Sequence, residues 1–185
     1  MNQLSCTLCT LEPLEEAHAE EMFVVLSDPA IYEFEGEPPP SLEKLAAGFR
    51  RAEARKTKQG DIQLDWVVRL QTGELTGYVQ TVVYNTGVAY IGYEFSSKFW
   101  RRGIGSAAVH CALLELTRSY AVHKYVAVLK ERNFRSTALL RKLGFRPGSA
   151  EDARLYGAEL DELTLVRLAD AAQPLAQADP LRQAL

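Results

Sequence analysis

The stretch Phe99-Trp100-Arg101-Arg102-Gly103-Ile104-Gly105-Ser106-Ala107-Ala108-Val109 constrains the fold more than any other part of the chain, because it reads as a strand end breaking over two glycines into an apolar helix. From Gly103 to about Tyr120 that helix carries Ile104, Ala107, Ala108, Cys111 and Leu114 on one face, with Val109, Ala112, Leu113 and Leu116 widening the surface. A helix so apolar must lie largely buried against a sheet. Its N-terminus has a second property. The glycines remove side chains that would hold a ligand off the backbone, and the first helical turn leaves several N–H groups without intrahelical partners. Those donors, with about half a unit of positive charge from the helix dipole, suit an anion. Arg101 and Arg102 add full charges, so the junction points to a pyrophosphate rather than a neutral ligand.

Gly-x-Gly alone is a weak signal. A Rossmann site would add a third glycine in the helix and an acidic residue on the next strand, near the start of a βαβ unit. No third glycine follows here, and the junction lies past the midpoint of the chain. A P-loop would need Gly-Lys-Ser/Thr, which is absent.

At 185 residues the chain most economically makes one domain, taken as residues 1–168 with a tail at 169–185 rich in Ala, Gln, Pro and Asp and lacking a strong core pattern. A net charge of −3 gives no reason to expect a nucleic-acid partner. No apolar run approaches a membrane span, and no basic and then hydrophobic N-terminal segment is present, so no membrane partner and a cytoplasmic location are expected. Cys6-Thr7-Leu8-Cys9 has C-x-x-C spacing, but no second Cys pair or His cluster completes a zinc site and no metal is expected. The plain reading is thiols packed in or near a core, with Cys111 on the buried face of the long helix.

Elsewhere the pattern predicts a strand over Leu4–Leu11, a helix through Met22, Phe23 and Leu26 stopped by Asp28-Pro29, and a helix capped by Ser41 reaching about Lys56. Trp66–Leu70, Gly77–Tyr84 and Val88–Phe95 read as an antiparallel meander, with Thr72-Gly73 and Asn85-Thr86-Gly87 as its turns. Tyr125–Leu129 is a short strand, Asn133 caps a helix that ends at Arg141-Lys142 and Gly144, and Leu163–Leu168 is a last strand.

Taken together, these motifs resemble the GNAT acetyltransferases, most closely the branch that holds the ribosomal-protein N-terminal acetyltransferases. The likeness runs from Leu4 to Leu168 and rests on Asp28-Pro29-Ala30, Ile91-Gly92-Tyr93-Glu94-Phe95, Trp100-Arg101-Arg102-Gly103-Ile104-Gly105, Asn133-Phe134-Arg135-Ser136 and Lys142-Leu143-Gly144-Phe145, in that order. It implies an α/β (α+β) fold: a central, mixed, mostly antiparallel twisted sheet of about six to seven strands, with helices on both faces and a splay between the central strands. It also implies acetyl-CoA as donor. Arg101, Arg102, Gly103, Ile104, Gly105 and Ser106 would then grip its pyrophosphate. Backbone groups near Phe95 and Ser97 would pair with the pantetheine as an added strand. Asn133 and Ser136 would lie near the thioester end or the pantetheine. Plain structural alternatives stand beside these: Asn133 as an N-cap, and the arginines as solvated charges.

Acetyl transfer from a thioester needs a neutral amine, a path for its proton and a polarised carbonyl. Glu94 is the candidate base, on the strand bordering the thioester and sharing its face with Gly92, which leaves room for a substrate; the alternative is a solvent-facing charge. The family's Tyr in the helix leading to Gly-Phe is replaced by Leu139-Leu140, which leaves water or Ser136 to protonate the leaving thiolate. Trp100 stands where many relatives have a polar residue. Between Asp28 and Glu43, Glu33, Glu35 and Glu37 accompany Tyr32 and Phe34, so Tyr32, Phe34 and Glu35 are candidate acceptor contacts and a cationic amine, peptide or small, is favoured. A solvated connector is the alternative. An acyl-CoA-binding sensor without turnover is the second reading, and the chain is expected as a monomer or homodimer.

Overall fold

The computed structural model describes residues 1–54 and 60–169. One eight-stranded sheet runs in the order β1-β2-β3-β4-β5-β6-β8-β7. The opening segment is a hairpin rather than one strand: β1 (Leu4–Ser5) and β2 (Cys9–Pro13) pair antiparallel around the turn at Thr7-Leu8. A 3-10 turn leads into α1 (Ala19–Leu26), and a second one (Pro29–Tyr32) follows it. The helix α2 (Leu42–Glu53) starts where Ser41 Oγ accepts the Lys44 N–H at 3.2 Å. Its expected end near Lys56 lies outside the described residues, as does the tail beyond Ala169.

The meander forms as β3 (Ile62–Leu70), β4 (Leu75–Val83) and β5 (Val88–Phe95), antiparallel throughout. Five consecutive β3 residues, Leu64 to Val68, are buried. A strand buried on both faces must be covered on both. On one face Trp66, Val68, Val79 and Ile91 pack against Ala108, Ala112 and Leu116 of α3 (Ile104–Ser119). On the other, Val67 and Leu75 pack with Met22 and Leu26 of α1 and Phe49 of α2.

After α3 the chain returns as β6 (Lys124–Lys130), then α4 (Phe134–Lys142), β7 (Arg146–Pro147), α5 (Ala150–Leu155) and β8 (Glu162–Leu168). The sheet exceeds the expected strand count because β1 and β7 are two-residue edge pieces. The one parallel pairing positions the site. β5 and β6 pair only through Val88↔Lys124, Ala89↔Tyr125 and Tyr90↔Val126, although β5 continues to Phe95 and β6 to Lys130. Beyond that point the two strands part.

Candidate functional site

The parting of β5 from β6 opens into a cavity of about 930 Å3, bounded by the end of β5, the loop before α3 and the first turns of α4. Its floor on one side is the phosphate-type junction. Trp100 Nε1 donates to the Phe95 carbonyl at 2.8 Å and fixes where the loop leaves the strand. Arg101 and Gly103 then take left-handed backbone conformations, φ 64° and φ 80°. For an arginine that conformation is strained. No side chain caps α3, whose N-cap is Gly103, so the first-turn donors face the cavity unspent by a cap. A Cβ on Gly105 would meet Leu139 Cδ1 at 3.1 Å and the Phe95 ring at 3.3 Å. Arg101, Gly103, Ile104, Gly105 and Ser106 line the cavity. Arg102 does not; its guanidinium lies 5.6 Å from the centroid of the Phe99 ring.

Strand alternation decides which backbone groups meet the opening. The Gly87 carbonyl accepts from His123 on the β6 side and Val88 accepts from Tyr84 on the β4 side, so Tyr93 and Phe95 present their peptide groups to the gap where β6 has turned away. The Phe95 carbonyl is shared with Trp100. The Ser97 N–H donates to Asp28 Oδ2 at 2.7 Å, away from the opening. Asp28 also accepts from Ala30 N–H at 3.0 Å. Burial pushes its carboxyl up, but these hydrogen bonds outweigh burial and hold it below the usual carboxylate range.

Glu94 points to the other face of β5, opposite its cross-strand neighbour Tyr78. Burial raises its pKa, against hydrogen bonds from Tyr78 and Tyr32 that lower it. A Cβ at Gly92 on the same face would meet nothing within 4 Å. The space beside the carboxylate is therefore open, and Glu94, Gly92, Tyr78 and Gln80 all line the cavity. Phe34 and Glu35 line it as well. Tyr32 reaches the site through its hydroxyl. Glu35 is raised by burial and by Glu162, against the charge of Lys130.

On α4, Asn133 Oδ1 accepts the Ser136 N–H at 3.1 Å, the N-cap bond. Asn133 and Ser136 both line the cavity. Leu140 is in the core at 1% exposure while Leu139 borders the cleft. A tyrosine does approach this helix from β5: the Tyr93 hydroxyl donates to the Ser136 carbonyl at 3.4 Å.

Tyr78, Tyr93 and Arg135 are among the cavity residues that escaped the sequence reading. Tyr78 was legible from the register of the hairpin that sets it opposite Glu94. Tyr93 and its neighbour Glu94 face opposite sides, as any strand demands. Arg135 gave no local signal, because most of its partners are remote: Glu33 at 2.6 Å and the rings of Trp100 and Phe34 at 4.5 and 5.3 Å, beside the ring of its neighbour Phe134 at 5.0 Å.

The acetyltransferase (GNAT) domain family matches residues 9–146. No curated protein matches the chain by sequence. Among solved structures, the ribosomal-protein-S5-alanine acetyltransferase of Vibrio fischeri is similar at 14% identity and TM-score 0.76, over 94% of this chain and 100% of that one. The ribosomal L7/L12 alpha-N-protein acetyltransferase in complex with coenzyme A is similar at 18% identity and TM-score 0.77, over 92% and 99%. The Vibrio cholerae spermidine N-acetyltransferase in complex with CoA and spermine is similar at 15% identity and TM-score 0.72, over 88% and 96%. These structures share the fold. The family match extends from β2 to the strand after α4 and so contains every residue that lines the cleft: the chain belongs to the GNAT acetyltransferase family.

Proposed function

We propose that residues 1–168 of this GNAT acetyltransferase act as one catalytic domain that transfers acetyl from acetyl-CoA to a primary amine by direct attack in a ternary complex. The observation that carries the reading is the end of the β5–β6 ladder at Tyr90↔Val126, which leaves a strand edge between an uncapped helix N-terminus and a half-buried carboxylate. An activated acetyl thioester is what the donor supplies when bound. The 101–106 backbone donors fit its pyrophosphate, and the free edge at Tyr93 and Phe95 fits the amides of its pantetheine arm.

Glu94 receives the proton of the attacking amine. Its raised pKa brings it nearer to neutrality than an ordinary carboxylate, which favours proton acceptance. The open space over Gly92 admits the amine beside it. Ser136, at the N-terminal turn of α4 and lining the same cleft, is the donor toward the leaving sulfur. Glu35, which lines the cleft, favours a cationic acceptor, a peptide N-terminus or a polyamine. The similar enzymes named for ribosomal protein N-termini and for spermidine support both acceptor classes. The reading places the reaction in the cytoplasm, on a monomer or homodimer, without metal, nucleic acid or membrane.

Calorimetric titration with acetyl-CoA, followed by thiol release on adding N-terminal peptides or polyamines, tests this. Binding with amine-dependent release is expected. Binding without release for any acceptor would favour an acyl-CoA sensor, and no binding would overturn the pyrophosphate site.

A further inference from the structure

The three cysteines of the chain converge on one spot outside the cleft. The register Leu4↔Leu11 and Ser5↔Thr10 sets Cys6 opposite Cys9, and the Cys6 N–H donates to the Cys9 carbonyl at 2.9 Å. Side chains of directly opposite residues share a face, and in a hydrogen-bonded pair their Cα atoms stand about 5.5 Å apart. That is within the roughly 4.4–6.8 Å that a disulfide spans. The Cys9 and Cys111 thiols both push the Cys6 thiol pKa up, with burial adding to it. Cys111 comes from α3 and lies with its Sγ 3.8 Å from the Ser5 carbonyl. All three are free thiols. Among the described residues no group of three His, Cys, Asp or Glu side chains is arranged to hold a metal ion.

This hairpin also touches the phosphate-type loop. Leu8, at the tip of the turn between the two cysteines, places its Cδ1 3.5 Å from where a Cβ on Gly103 would stand. The helix that carries Cys111 is the helix whose N-terminus closes that loop.

We propose that Cys6 and Cys9 form a reversible disulfide whose closure, through Leu8, disturbs the 101–106 loop and weakens its hold on the donor's pyrophosphate. The oxidant is a peroxide. A thiolate sulfur attacks one peroxide oxygen and becomes a sulfenic acid while the other oxygen leaves as water. The second sulfur then attacks the sulfenic sulfur, whose hydroxyl leaves as the second water. Two thiols and one hydrogen peroxide thus give one disulfide and two waters, and sulfur loses the two electrons that break the O–O bond. The hydrogen bond from Cys6 lowers the pKa of Cys9, against burial. Closing the S–S bond draws the two sulfurs to about 2.05 Å, and the side-chain rotations this needs bear on the turn that carries Leu8. The loop it rests on holds Arg101 and Gly103 at positive φ, a conformation that persists only while its surroundings enforce it.

The consequence for coenzyme A rests on the proposed donor site; formation of the disulfide does not. The full chain is treated with hydrogen peroxide, mapped by non-reducing peptide mass spectrometry, followed by amide hydrogen exchange over residues 100–106, and titrated with coenzyme A. The expected result is a Cys6–Cys9 link, faster exchange in the loop and affinity lower by about tenfold, or about 1.4 kcal/mol, all reversed by dithiothreitol. Cys6→Ser is expected to abolish the response and Cys111→Ser to retain it. A map without the Cys6–Cys9 link overturns the proposal, as does a link that leaves loop exchange and affinity unchanged. Failure of the reduced chain to bind coenzyme A would count against the donor site alone, since mapping and loop exchange still decide the switch.

Discussion

The Tyr32 hydroxyl lies 3.4 Å from Oε2 of Glu94. It has one proton to give, and its shorter contact, 2.9 Å, is with the Leu26 carbonyl. Tyr32 therefore supports the carboxylate only in part, and Tyr78 across the strand pair is the larger of the two hydroxyl contributions that hold the Glu94 pKa down against burial. Tyr32→Phe and Tyr78→Phe are each expected to raise it further, moving the acid limb of kcat/KM to higher pH, with the larger move for Tyr78→Phe. A pH profile that moves in neither variant removes the hydroxyl pair from the tuning of the base.

Glu94→Gln is expected to lower kcat by about 10²–10⁴-fold at neutral pH, the usual contribution of a general base. The defect shrinks as pH rises toward that at which the acceptor amine is already neutral. Stability moves the opposite way. Burial raises the folded-state pKa above the unfolded value, so protonation favours the fold, and that gain is complete below the unfolded value of about 4.3 and lost as pH rises through the folded one. Above the folded value the ionised carboxylate costs stability, and there the glutamine variant is expected to melt higher than the parent. The two melting temperatures converge in acid. A glutamine variant with lower stability above the folded value would contradict the assignment.

Most of the sheet was legible because its residues are locally consistent: turn residues Thr72-Gly73 and Asn85-Thr86-Gly87 separate runs that pair as expected. Asn133 and Ser41 cap helices as their side chains suggest. The misread parts are short or depend on remote partners. Cys6-Thr7-Leu8-Cys9 is apolar enough to read as continuous strand, and only the pairing of Leu4 with Leu11 reveals its turn. The helix α5 has six residues, too few to show periodicity, although its Ser149 and Asp152 capping box was a readable start signal. In the site, the glycine loop announced itself by composition. The tie between Asp28 and Ser97, 69 residues apart, and the contacts of Arg135 are tertiary and leave no trace in local pattern.

That tie gives a prediction of its own. Asp28 joins the turn after α1 to the chain just after β5, so it ties the segment leading to Phe34 and Glu35 to the end of that strand. Asp28→Asn replaces the oxygen that accepts the Ser97 N–H, and the loss of a hydrogen bond to a charged acceptor costs about 1.5–3 kcal/mol. The folded-state pKa is lowered, so this stabilisation is present above the unfolded value of about 3.9 and lost as pH falls through the folded value. Denaturant melts should show the gap between parent and variant at neutral pH and its closure in strong acid. An equal gap at all pH values would mean that the carboxylate charge is irrelevant to the tie.

Gly103 and Gly105 separate backbone strain from steric crowding in the same loop. Gly103→Ala keeps ordinary space, with Leu8 Cδ1 at 3.5 Å, but places a Cβ at φ 80°, which costs about 1–2 kcal/mol. Gly105→Ala has no such backbone cost and instead sets its Cβ 3.1 Å from Leu139 Cδ1 and 3.3 Å from the Phe95 ring. Leu139 and Phe95 both line the cleft, and a leucine terminus yields more readily than a backbone, so the global fold absorbs the change while the cleft wall moves. The first variant is expected to lose stability in denaturant melts together with coenzyme A affinity. The second is expected to keep its midpoint within about 0.5 kcal/mol of the parent, as substitutions outside strained or core positions do, while still losing affinity. If Gly105→Ala binds coenzyme A as the parent does, the approach of α3 to β5 at that position serves packing alone.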